Sequence, residues 1–231
     1  MERGDRVIVL VVGGSVAVGY ASEGSYSSAQ FVYWLRKKYK NAKVEVQSLA
    51  QSGTDSFYFA AHLERLNKNA DLVIYDFLTN DLGLLDGDTT THTMRAVVES
   101  IVRASLALPR GPAFVIISLL RTIKLTTRVS FDFQDQIYAP LAEAYDVTLV
   151  SFRDAIWPDF GIKPPYAVYE THKGSHPMWY IHQLIADSMA YACEAALASP
   201  RGAGDDVFAA PAPLPEHPIF LDESVEALST C

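Results

Sequence analysis

Four short segments carry the residue types that acyl-transfer chemistry uses: Gly13-Gly14-Ser15, Ser52-Gly53-Thr54, Thr79-Asn80-Asp81 and Gly174-Ser175-His176-Pro177. Acyl transfer by a serine needs a nucleophile, a base to take its proton, and donors aimed at the oxyanion of the tetrahedral intermediate. Ser15 can be the nucleophile and His176 the base. The backbone N–H groups of Ser15 and Gly53, with the side-chain amide of Asn80, can form the oxyanion hole.

Each segment also has a plainer reading. His176 can be no more than the residue before a helix, because Pro177 suits the first helical position. Asn80-Asp81 can be an ordinary turn after a strand, and Asp81 reads as structural. Gly13-Gly14 can be a simple turn. Nucleotide binding is disfavoured, since neither the Gly-x-Gly-x-x-Gly spacing nor a Gly-Lys-Ser/Thr sequence is present. The Gly-x-Ser-x-Gly elbow also fails, with Ala17 where its second glycine belongs. His172 and His176 have the spacing of two metal ligands on a helix. The intervening Lys-Gly-Ser is poor helix and lacks the glutamate of His-Glu-x-x-His, so no metal site is expected. The chemistry outlined calls for no cofactor. His62, His92, His182 and His217 read as surface or satisfied core residues.

These segments need a scaffold that brings them to one place. Val7 to Val12 is an unbroken apolar run ended by Gly13-Gly14, the pattern of a strand buried on both faces of a parallel sheet. Four more strand patterns follow: Lys43–Leu49, Asp71–Phe77, Ala113–Leu119 and Val147–Phe152. Helical periodicity is expected over Ser25–Lys40, Asp55–Asn67, Thr91–Ala107, Ser130–Tyr145 with a break before Pro140, and Pro177–Ala198. Five alternations of strand and helix predict one parallel sheet with helices on both faces. Sites in such sheets form at the carboxyl ends of the strands, where the first three of the four segments lie. The fourth precedes the last helix.

From Ser199 the composition shifts. Pro200, Pro211, Pro213, Pro215 and Pro218 punctuate an Ala/Gly/Asp-rich stretch, which reads as a linker or C-terminal extension over 199–231, following a domain over 1–198. Ile219 to Cys231 has room for one short helix that either packs back or begins something further.

The chain of 231 residues suits one sizeable α/β domain, and 49% hydrophobic residues provide a core. A net charge of −8 argues against a general nucleic-acid partner. The two cysteines, Cys193 and Cys231, form no disulfide framework or zinc pattern. Cys193 is expected in the core. No apolar run reaches the length of a membrane span. The first strand begins within ten residues, which leaves no room for a signal peptide. A complete chain would then be cytoplasmic by default; an excerpt of a longer protein, with further domains, would not carry that inference, and localisation stays unknown.

The four segments together resemble the SGNH (GDSL-like) hydrolases, named for their Ser, Gly, Asn and His. Gly13-Gly14-Ser15-x3-Gly19 is similar to that family's Gly-Asp-Ser-x3-Gly block, with Gly14 in place of the aspartate. Ser52-Gly53-Thr54 is similar to the block that supplies the oxyanion glycine. Leu78-Thr79-Asn80-Asp81 is similar to Gly-x-Asn-Asp, with Leu78 in place of the glycine. His176-Pro177, followed by Leu184-Ile185-Ala186-Asp187, is similar to the Asp-x-x-His-Pro block and the start of its helix. The resemblance covers about residues 6 to 198. It implies a flavodoxin-like α/β/α sandwich with a five-stranded parallel sheet in the order 2-1-3-4-5. It also implies hydrolysis or transfer of acyl esters, with Ser15 and His176 catalytic and Ser15, Gly53 and Asn80 at the oxyanion.

One departure bears on mechanism. The family's acid precedes the histidine by three residues, and that position here is Lys173. A carboxylate would favour the transient imidazolium, and a lysine disfavours it. A Ser-His dyad, recruitment of Glu170 or Asp154, and a lapsed binding or scaffold domain are the three outcomes open; an O-acyltransferase would use the same residues. Trp157, Phe160, Tyr166, Tyr169 and Trp179 flank His176, and aromatic rings either receive sugars or pack loops. Arg121 follows the fourth strand. Tyr169, Trp179 and Arg121 are the candidate contacts for a small-molecule or carbohydrate ester.

Overall fold

The computed structural model describes residues 6–20, 22, 26–82, 88–119, 133–155, 171–172, 176–198 and 213–220. Five strands, β1 (Arg6–Gly13), β2 (Lys43–Ser48), β3 (Leu72–Asp76), β4 (Ala113–Ser118) and β5 (Thr148–Ser151), form one sheet in the order β2-β1-β3-β4-β5. All four pairings are parallel. β1 lies between β2 and β3, which is why Ile8 to Gly13 is buried throughout. The register sets Gly13 beside Asp76 and Val11 beside Ser48, so three strands end along one rim.

Helices cover both faces and complete a three-layer α/β/α sandwich. On one face, α2 (Ser27–Lys38) and the last helix, α7 (Trp179–Ala198), place Phe31, Val32, Leu35, Ile185 and Met189 against Val9, Val11 and Ile74. On the other, α5 (Asp88–Leu106) and α6 (Ala139–Ala144) place Met94, Val98, Ile101 and Leu141 against Leu10, Val12, Val73 and Tyr75. Each fully buried side chain of this size stabilises the fold by about 1.5–3 kcal/mol relative to exposure. Cys193 is only partly buried, at the margin of the first of these cores.

Three elements differ from the sequence expectation. Asp55–Asn67 is not one helix: α3 (Ser56–Ala60) is followed by a 3-10 turn over Leu63–Arg65. Phe59 and Leu66 still reach the core, so the apolar spacing is met by two short pieces. The break expected before Pro140 takes the form of a π turn, Gln134–Tyr138. Proline has no N–H for the α-helical ladder, and the wider turn accommodates the loss. Pro177 does not open the last helix. It lies in β7 (His176–Pro177), which pairs antiparallel with β6 (Thr171–His172), and the helix begins at Trp179 with the Met178 carbonyl accepting from Ile181 and His182.

Part of the segment expected to be a linker returns to the domain. Leu214 and Phe220 pack on the second core, and the buried Glu99 carboxylate accepts from the backbone N–H groups of Ile219 and Phe220, each at 2.6 Å.

Candidate active site

Ser15 begins α1 (Ser15–Val18), two residues past the end of β1, and Gly14 between them is its N-cap. The Gly14 N–H donates to the Asp76 carbonyl at 3.1 Å, which ties the Ser15 turn to the end of β3. The Nε2 of His176 lies 2.8 Å from Ser15 Oγ. This is hydrogen-bond distance, and it is the geometry a base needs to take the hydroxyl proton.

Gly53 reaches the same rim through its turn. The Gln51 N–H donates to the Gly13 carbonyl at 3.0 Å, and the Gln51 carbonyl accepts from Thr54 Oγ1 at 2.7 Å. Within that turn Gly53 has φ +78°, a left-handed conformation that glycine adopts without steric cost. Gly53 is exposed, and a side chain there would meet nothing within 4 Å.

Asn80 belongs to the four-residue helix α4 (Leu78–Asp81), directly after β3. Its carboxamide lies against Gly14 so closely that a β-carbon on Gly14 would stand 2.1 Å from Asn80 Oδ1. A side chain at position 14 would therefore meet the Asn80 carboxamide where it now stands.

Asp81 holds two of these segments together from below. Its buried carboxylate accepts from the Ser56 N–H at 2.9 Å, Ser56 Oγ at 2.6 Å and Tyr75 Oη at 3.4 Å. Ser56 opens the helix that follows the Gly53 turn, so Asp81 couples that turn to Asn80. Burial pushes the Asp81 pKa up to about 7, opposed by the Ser56 donors. Asp76 is in a harsher position: it is 2% exposed and, among the described residues, neither carboxyl oxygen has a hydrogen-bond partner. Burial first, and then the Asp81 charge, raise its pKa to about 7.

Two residues near the site, Tyr20 and Asp76, were missed in the sequence, whereas His182 is the satisfied core residue expected of it. Tyr20 packs its ring on His176, with centroids 4.6 Å apart and planes at 51°. Its only signal is its place just after Gly19. Asp76 was visible as a charge closing an apolar strand. His182 lies in the core, 0% exposed, where its Nδ1 accepts the Ser27 N–H at the start of α2. Burial first, and then the charge of His176, push its pKa down to about 4. It therefore stays neutral and fixes the last helix against α2. Gln30 Nε2 adds a longer bond to the Trp179 carbonyl at 3.4 Å.

Trp179 is 54% exposed at the start of the last helix and packs edge-on against Tyr180. Asp154, considered as a partner for His176, is engaged elsewhere: Gln134 Nε2 donates to it at 2.8 Å and Arg153 Nε at 2.6 Å. Lys173, Tyr169, Arg121 and Glu170 lie outside the described residues. Among the described residues no cluster of three or more His, Cys, Asp or Glu side chains could hold a metal, and no helix is long and apolar enough to cross a membrane.

No protein-family model matches the chain, and no curated protein matches it. Solved structures do. The chain shares its fold with solved esterases. A two-domain esterase active on acetylated mannans superposes with a TM-score of 0.73 at 20% identity, over 96% of this chain and 55% of that one. The present chain thus spans about half the length of that enzyme. The acetylxylan esterase Axe2 from Geobacillus stearothermophilus gives a TM-score of 0.66 at 16% identity, covering 83% of this chain and 95% of its own. TesA gives 0.59 at 18% identity, over 81% of this chain and 98% of its own. At these identities the likeness is one of fold.

Proposed function

We propose that the chain is a serine esterase of the SGNH type, which hydrolyses acyl esters with Ser15 as nucleophile and His176 as base. The single observation that carries this reading is the 2.8 Å contact between His176 Nε2 and Ser15 Oγ at the carboxyl rim of the sheet. In this reading Ser15 Oγ attacks the ester carbonyl while its proton passes to His176. The backbone N–H groups of Ser15 and Gly53 and the Asn80 amide receive the oxyanion. The imidazolium then protonates the departing alcohol, and water repeats the sequence to free the acid.

The preferred substrates in this proposal are O-acetyl esters on carbohydrate. Support comes from Tyr20 beside the pair, from the exposed Trp179 at the start of the last helix, and from fold neighbours that act on acetylated mannan and acetylated xylan. Residues 1–198 form the hydrolase domain in this proposal, and 199–231 an extension, of which 213–220 is strapped to α5. Lys173 favours a second reading, a domain that keeps the fold for binding alone. The test is 4-nitrophenyl acetate turnover, with fluorophosphonate labelling of the intact protein mapped by mass spectrometry. Label on Ser15 with turnover supports the esterase. Neither, across a broad ester panel, supports the binding domain. Label on another residue overturns the assignment of Ser15.

A further inference from the structure

The imidazole of His176 touches Ser15 at one edge and carries the ring of Tyr20 against it, at a centroid separation of 4.6 Å. An aromatic ring attracts a cation within about 6 Å of its centroid, through the negative potential of its π face. A neutral imidazole gains little from that potential. The attraction appears when the ring takes a proton, so it favours the transition state over the resting enzyme.

We infer that Tyr20 is a positioning residue that acts through His176, holding the imidazole toward Ser15 and stabilising the imidazolium that forms during acyl transfer. The inference rests on the esterase reading of Ser15 and His176. In the step concerned, the Ser15 Oγ–H bond breaks and its proton goes to His176 Nε2. The Oγ electron pair bonds the carbonyl carbon, and the carbonyl π pair moves to oxygen as the oxyanion. The imidazolium persists until its proton passes to the leaving alkoxide as the ester C–O bond breaks. Tyr20 lowers the cost of the charge during that interval.

Among the described residues, the other groups placed beside His176 bring no such potential. From α1 it meets the neutral Ser15 hydroxyl. From α7 it meets His182, whose protonation at low pH would oppose a second positive charge. Across the two-stranded ladder its backbone pairs with that of His172. Tyr20 brings negative potential without a formal charge. It is also 49% exposed, so the ring can be changed with little effect on the core.

The experiment titrates the His176 imidazole by NMR in the wild type and in Tyr20→Phe, Tyr20→Leu and Tyr20→Trp, and measures kcat and KM on 4-nitrophenyl acetate in each. Tyr20→Phe keeps the π face and should hold both the His176 pKa and kcat near wild type. Tyr20→Leu should lower that pKa by roughly half a unit to one unit and kcat by about three- to tenfold, at constant KM. Tyr20→Trp, with the stronger π face, should raise the pKa. A His176 pKa that is the same in all four proteins overturns the inference, as does an equal loss in Phe and Leu. Should one variant fail to fold, the remaining pair still orders π face against pKa. A wild type that turns over no ester while the pKa series holds would sink the esterase reading alone. An active wild type with a flat series would sink the role of Tyr20 alone.

Discussion

His176 Nε2 stands 2.8 Å from Ser15 Oγ across 161 residues of chain. The contact depends on two independent anchors. Ser15 is fixed by the end of a strand buried on both faces, with the Gly14 N–H bonded to the Asp76 carbonyl. His176 is fixed by the last helix, which His182 and Gln30 fasten to α2. Ser15→Ala removes one hydroxyl from a partly buried position and should leave folding intact. Turnover of 4-nitrophenyl acetate should fall by at least about 10⁴-fold, with loss of fluorophosphonate labelling. Retained activity would mean a different nucleophile.

Asp76 makes stability depend on pH in an unusual direction. Its folded pKa is raised to about 7, from an ordinary carboxyl value near 4 in the unfolded chain. The folded state then binds the proton more tightly, so stability is greatest below about pH 4 and declines as pH rises to about 7. Asp81 has its own raised pKa and steepens the trend. Asp76→Asn removes the charge and keeps the shape. It should be more stable than wild type at pH 8, on the order of 4 kcal/mol, and close to it at pH 4. Urea unfolding at both values checks this; equal wild-type stability at pH 4 and pH 8 would contradict it.

Much of this architecture is legible in the sequence, and the reason is burial. The run Val7 to Val12 has no polar position because β1 has neighbours on both edges and helices on both faces. The sheet order follows the family resemblance, and Ser15 and His176 meet as the motif order implies. What escaped depends on contacts with no local signature. Phe59, Leu63 and Leu66 have helical spacing, yet a turn at Ala61-His62 divides them. Pro177 suits a helix start equally well as a β bridge, and only the pairing with Thr171 decides. Tyr20 on His176 and Asn80 against Gly14 are contacts between distant segments, and neither residue type announces them.

The strap at the C-terminal end gives a further test. The Glu99 carboxylate is 0% exposed and accepts from Tyr145 Oη at 2.5 Å as well as from Ile219 and Phe220. Arg103 Nη1 donates both to Tyr145 Oη and to the Pro215 carbonyl. Glu99→Ala leaves Tyr145 Oη and the Ile219 and Phe220 N–H groups without their acceptor. Stability should drop by about 2–4 kcal/mol, and cleavage near residues 213–220 should quicken in limited proteolysis followed by mass spectrometry. Unchanged cleavage would mean that the packing of Leu214 and Phe220 holds the segment alone.

Lys173 is the departure most open to direct repair. If Ser15 and His176 work as a dyad, Lys173→Asp should raise kcat, provided the new carboxylate reaches the imidazole. The gain should stay below the factor of about 10⁴ that a working triad loses with its acid. Activity in wild type alone would give Lys173 a role of its own, or leave another acid in service. Silence in both proteins favours the binding domain.

Gly14 and Asn80 allow the proposed oxyanion hole to be tested without touching Ser15 or His176. Gly14 has φ −90°, which any residue can adopt, so its substitution carries no backbone strain. The obstacle is contact: a β-carbon there would stand 2.1 Å from Asn80 Oδ1 and 2.7 Å from its Cγ. The Thr54 carbonyl, at 3.1 Å, is backbone and yields less readily. The Asn80 carboxamide is the softer neighbour, so Gly14→Ala should turn it away from the oxyanion. Asn80→Ala alone should lower kcat by about 10²–10³-fold, the loss seen when one oxyanion donor is removed. Gly14→Ala should approach that loss with KM nearly unchanged, since the donor acts in the transition state. The double variant should then be no worse than Asn80→Ala, because both changes remove the same interaction. Additive losses in this cycle would show that Gly14→Ala disturbs Ser15 itself, and that Asn80 is not where the added methyl group acts.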